Sequence, residues 1–139
     1  MEANSTPLTI CLIDDDSIYQ FTAKRIIELL NPLQKVLIFS NGKEAIDYFV
    51  QNTSGKNELP DVIFLDINMP VMNGWEFLEA YDVVKTGLRK TITIYMVSSS
   101  VDEKDKIRSK TFEDVKDFIV KPIHQQVMHD IILSSVAIA

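Results

Sequence analysis

Cysteine occurs once in this chain, at position 11, and tryptophan once, at position 75. A single cysteine inside the apolar run Ile10-Cys11-Leu12-Ile13 supports no disulfide framework, and such a run points to a small buried thiol, which suits a reducing compartment. The two histidines, His124 and His129, sit on or beside the last helical segment and read as surface residues, so no Cys/His cluster competes for a soft metal. Glycine is scarce as well, and no glycine-rich phosphate loop follows the first strand, which argues against nucleotide binding. Apolar runs are short: Leu8 to Ile13 meets acid at once, and the leader Met1 to Pro7 is polar. Neither a membrane span nor a signal peptide is expected, and a soluble cytoplasmic protein is. Positive charge is the minority: 14 Lys and Arg against 20 Asp and Glu give a formal charge of −6. That balance disfavours a nucleic-acid surface and suits a partner that is a cation or a basic protein.

What is present is a chain of 139 residues, 46% hydrophobic, enough for one domain with a core of its own. Strand-like apolar runs alternate with amphipathic segments. The runs are Ile10 to Ile13, Val36 to Phe39, Val62 to Leu65, Thr91 to Val97 and Val115 to Val120. Between them, Tyr19, Ala23, Ile26, Ile27 and Leu30 recur at helical spacing up to Asn31-Pro32. Ala45, Ile46 and Phe49 do so next, then Phe77, Leu78 and Tyr81, with Gly87 as a stop. Gln51 to Pro60 reads as a polar surface loop. Trp75 reads as packing, and Asp102 to Lys110 as a solvated, weakly held helix capped by Ser100. A last helix is expected after Ile123 with Val127, Met128, Ile131 and Ile132 inward, trailing into an apolar end that offers a possible dimer contact. Such alternation predicts a parallel sheet with helices on both faces, joined by right-handed crossovers.

In such a sheet the carboxyl ends of the strands converge, and here they carry chemistry. The first strand runs into Asp14-Asp15-Asp16-Ser17, the third into Asp66, the fourth into Ser98, the fifth into Lys121-Pro122. Asp66 alone would be an ordinary turn residue, and one of Asp15, Asp16 and Ser17 is a natural helix cap. Three adjacent acids exceed what a cap requires. Crowded carboxylates resist joint ionisation unless a cation neutralises them, and Mg²⁺, which takes hard oxygen ligands and keeps waters, is the natural candidate.

These motifs, in this order, resemble the receiver domains of two-component response regulators, the CheY-like family, from about Thr9 to Ser135. The resemblance implies residues 1–8 as a tail and 9–139 as the receiver. It implies a three-layer, doubly wound α/β fold with five parallel strands in the order 2-1-3-4-5 and five helices. It implies Asp66 as the phosphoryl acceptor within Leu-Asp-Ile-Asn-Met-Pro, and Mg²⁺ held by Asp14, Asp15, Asp66 and the Asn68 backbone carbonyl. Ser98 and Lys121 would bind phosphoryl oxygens, with Lys121 pairing Asp66 before modification. Phe118 would be the aromatic switch residue, and the Lys121-Pro122 peptide is often cis in such proteins. The donor would be a sensor histidine kinase or histidine phosphotransfer protein, the output a downstream protein, and the chain a stand-alone regulator or relay rather than an enzyme. One departure is Asp114-Val115-Lys116 where a glycine is common; an Asp tolerates the left-handed backbone. A phosphatase of the haloacid-dehalogenase type would need an acid two residues after the nucleophile, where this chain has Asn68. A phosphorylation-independent pseudo-receiver usually lacks part of the acid, hydroxyl and lysine set, which is complete here.

Overall fold

The structure, a computed structural model, describes residues 7–55, 58–100 and 102–138, without the side chains of 136–138. The polar leader up to Thr6, Val101 and the apolar side chains from Val136 onward lie outside the described residues. The strands are β1 (Thr9–Ile13), β2 (Lys35–Phe39), β3 (Val62–Asp66), β4 (Thr93–Ser98) and β5 (Val115–Val120). The helices are α1 (Ser17–Leu30), α2 (Gly42–Gln51), α3 (Gly74–Val84), α4 (Glu103–Ser109) and α5 (Gln125–Ile138), with a 3-10 turn at Lys85–Gly87. All neighbouring strands are parallel, in the order β2-β1-β3-β4-β5.

Side-chain alternation sorts the sheet into two faces. Cys11, Ile13, Ile63, Leu65, Ile94 and Met96 pack with Ala45, Phe49, Phe77, Leu78 and Tyr81 of α2 and α3. Ile10, Leu12, Val62, Phe64, Tyr95 and Val97 pack with Ala23 and Ile27 of α1 and Met128, Ile131 and Ile132 of α5. Because β3 is central it is buried on both faces, which is why its sequence is an unbroken apolar run.

Several local expectations are corrected. Val127 is 39% exposed, since Met128, Ile131 and Ile132 already define the inward stripe and position 127 is rotated away from it. Helix α4 is capped by Asp102, whose carboxylate accepts from the Lys104 N–H, whereas the Ser100 N–H donates to Ser98 Oγ. The loop after α2 is anchored rather than wholly superficial: Leu59 is fully buried, and the Lys90 ammonium donates to its carbonyl at 2.9 Å. Asp114 does not use the left-handed region, since among the described residues only Val71 has a positive φ. The connection into β5 is made instead by a Val115 N–H to Phe112 carbonyl bond and a β-bulge, in which Ile94 pairs with Val115 and Tyr95 with Asp117.

Candidate functional site

Each side chain at the carboxyl edge of the sheet is delivered by a strand end. Asp14 follows β1, with its N–H donating to the Phe39 carbonyl of β2 and its Oδ1 accepting from the Asp16 N–H at 2.9 Å. Asp16 is the α1 cap: its carboxylate accepts from the N–H groups of Ile18 and Tyr19, leaving Asp15 exposed and uncommitted to that cap. Asp66 closes β3, Ser98 closes β4, and the Lys121 N–H donates to the Ser98 carbonyl at 2.7 Å. The Lys121-Pro122 peptide is cis. The chain leaves Asp66 through a tight turn in which Gly74 N–H donates to the Ile67 carbonyl at 2.8 Å.

The edge thus brings together the acids the sequence singled out. One ligand oxygen each from Asp14, Asp15 and Asp66 lies within 4.8 Å of the others. Asp14 and Asp66 are buried, and so is Ser98. The Lys121 ammonium lies 2.8 Å from Asp14 Oδ2 and 3.8 Å from Asp66 Oδ1. The pairing with Asp66 is therefore present but secondary. The contact with Asp14 is the closer one, at charge-assisted hydrogen-bond distance.

One ammonium does not neutralise three carboxylates. Burial pushes the Asp66 carboxyl up to about 6, with the Asp14 and Asp15 charges adding and Lys121 and the Ile67 N–H opposing. Asp14 is raised as well, chiefly by burial, against the lowering pull of Lys121. Clustered carboxylates, two of them buried, with oxygen donors only, suit a hard divalent cation such as Mg²⁺. Asn68 lies exposed two residues beyond Asp66.

Ser98 and Phe118 come from the neighbouring strands β4 and β5. Alternation puts them on the α2/α3 face of the sheet, where Phe118 pairs with Met96 and packs half-buried against the core. Sequence reasoning missed Tyr19, which helical spacing assigned simply to the core. Its ring lies under the Lys121 ammonium, 4.7 Å from centroid to nitrogen, and its buried hydroxyl has no hydrogen-bond partner among the described residues. No pattern signals that contact, because it depends on where the loop after β5 crosses α1.

Comparison with known proteins agrees with this geometry. The family model of the response regulator receiver domain matches residues 10–133. The nitrate/nitrite response regulator protein NarL of Escherichia coli K12 is 31% identical, over 95% of this chain and 60% of that protein. A protein-glutamate methylesterase/protein-glutamine glutaminase of Treponema pallidum is 28% identical over 91% of this chain, which spans only 29% of that protein. Among solved structures, a two component response regulator from Cytophaga hutchinsonii superimposes with a TM-score of 0.83 at 24% identity, covering 96% of this chain and all of that one. A response regulator receiver protein from Dyadobacter fermentans gives 0.74 at 26% identity, covering 91% of this chain and 96% of that one. With the strand order, the acid cluster and the match over nearly its whole length, this chain belongs to the response regulator receiver domains of two-component signalling.

Proposed function

We propose that this receiver accepts a phosphoryl group on Asp66 from a phosphohistidine of a sensor histidine kinase or a histidine phosphotransfer protein. The observation that carries the reading is the gathering of Asp14, Asp15 and Asp66 oxygens within 4.8 Å beside a single ammonium. An Asp66 oxygen forms the new bond to phosphorus while the P–N bond breaks, and its electron pair stays on the departing imidazole. A carboxylate suffices as nucleophile because the phosphoramidate is already activated. Asp14, Asp15, Asp66 and the Asn68 carbonyl would hold Mg²⁺, which would supply positive charge against the transferring group. Lys121 binds one phosphoryl oxygen and the Ser98 hydroxyl donates to another, so that this chain contributes alignment and charge.

The same contacts carry the signal. Once Ser98 turns to the phosphoryl oxygen, its loop is drawn in and Phe118 follows into the vacated space, which alters the face formed by α4, β5 and α5 toward a downstream protein. The chain acts as a signalling receiver, promoting its own phosphoryl transfer and hydrolysis. Incubation with acetyl phosphate and Mg²⁺ tests the reading by intact-mass spectrometry. One added phosphoryl group is expected for the wild type, none with EDTA and none for Asp66→Asn. Equal uptake by the variant would move the acceptor elsewhere.

A further inference from the structure

The Lys121 ammonium has one close acid, Asp14, a second and more distant one, Asp66 at 3.8 Å, and the ring of Tyr19. The Asp14 carboxylate lies 2.8 Å from Nζ, and the Tyr19 ring face lies 4.7 Å from it. The Lys121 side chain is 16% exposed, so little water remains to solvate the charge. An ammonium has three N–H donors. Asp66, at 3.8 Å, lies beyond hydrogen-bond distance of them, and a ring attracts the charge through its quadrupole without taking up a donor. Asp14 is the one carboxylate close enough to take a donor. The ammonium is thus fixed in place with donors to spare, the state a group needs before it meets an incoming oxygen.

We infer that Tyr19 is a positioning residue for phosphoryl acceptance: its ring holds the Lys121 ammonium at the edge of the acid cluster, ready to bind a phosphoryl oxygen on Asp66. The inference rests on the function proposed above. Tyr19 acts from α1, at the position where that helix meets Lys121, Pro122 and Ile123 across a cleft of about 400 Å³. Its hydroxyl makes no hydrogen bond among the described residues. The working part is therefore the ring face. Tyr19→Phe should keep the function and Tyr19→Leu should lose it.

The test follows phosphoryl uptake from acetyl phosphate by intact mass, across Mg²⁺ concentrations, for wild type, Tyr19→Phe and Tyr19→Leu. With Tyr19→Leu the maximal rate is expected to fall about threefold to thirtyfold, the span of a ring–cation contact from exposed to desolvated settings. Tyr19→Phe retains most of the rate, and the Mg²⁺ concentration for half-maximal rate stays within about twofold in both, since Asp14, Asp15 and Asp66 are untouched. Where Tyr19→Leu does not fold, Tyr19→Met fills the space with a flexible side chain and takes its place. An unchanged maximal rate in the ring-less variant overturns the inference, as does a Phe variant equally slow. A Mg²⁺ requirement that rises with the rate loss also overturns it, because that marks a disturbed loop between β1 and α1 and a merely structural role. A wild type that takes up no phosphoryl group contradicts the proposed function instead, so the two failures are separable.

Discussion

The Asp66 carboxylate stands 3.8 Å from the Lys121 ammonium, while Asp14 reaches the same nitrogen at 2.8 Å. The acid at the end of the central strand is therefore the less neutralised of the two, and burial, with the Asp14 charge adding, pushes its carboxyl from 3.8 up to about 6. Between those values the folded chain keeps a proton that the unfolded chain has released. Stability without metal then falls as pH rises through that window and levels off above it. The whole effect is about 3 kcal/mol at most, from two units at 1.36 kcal/mol each. Melts in EDTA should place Asp66→Asn above the wild type near pH 8, with the gap closing toward pH 4. Added Mg²⁺ should raise the wild type more than the variant. Coincident midpoints at both pH values would show that the acids are not in conflict.

Gly74 is held by a space requirement. A Cβ there would sit 2.5 Å from the Asp66 carbonyl oxygen and 3.0 Å from Ile67 Cα, both backbone atoms that cannot step aside. Gly74→Ala should cost about 1–3 kcal/mol, as overpacking does, and should slow phosphoryl uptake because the strain displaces the end of β3. A melt and an uptake time course check this. A variant with normal stability and rate would show that the turn yields cheaply.

Val71 has φ 67°, an outlier for a β-branched residue, and is bridged by a Met72 N–H to Pro70 carbonyl bond of 2.6 Å. Its side chain is 78% exposed, so replacement loses little packing. Asn tolerates the left-handed region, and Val71→Asn should stabilise the protein by about 1 kcal/mol, the low end of such backbone strain. A denaturant titration reads this directly, and a lowered midpoint would mean that the valine makes compensating contacts.

A parallel α/β sheet was legible because apolar runs alternate with amphipathic segments, whereas the strand order came from the family resemblance. Which face each residue takes was not legible in runs as uniformly apolar as Ile10 to Ile13, where Cys11 and Ile13 face one way and Ile10 and Leu12 the other. The acids were legible because they follow apolar runs directly. The partition of Lys121 between Asp14 and Asp66, and its seat on Tyr19, were not, since they depend on angles between elements distant in the chain. The strained turn at Val71 was equally hidden, because valine advertises a strand rather than a positive φ.

Helix α4 is better tethered than its charged sequence suggests. The Arg108 guanidinium lies over the Trp75 ring, 4.5 Å from the centroid, and the same indole stacks on Phe112. Trp75 begins next to Gly74, so this contact links the turn after Asp66 to α4. Arg108→Ala should cost about 0.5–1 kcal/mol and shift the emission of the chain's only tryptophan. Fluorescence-monitored denaturation measures both, and an unchanged spectrum would remove Arg108 from the indole's surroundings.

The central claim is that Asp66, and no other acid of the cluster, takes the phosphoryl group. Borohydride converts an aspartyl phosphate to homoserine, which peptide mass spectrometry can locate after treatment with Mg²⁺ and acetyl phosphate. Homoserine at position 66 alone is the result expected. Homoserine at position 14 or 15, or none in a protein that has gained a phosphoryl group, would contradict the account.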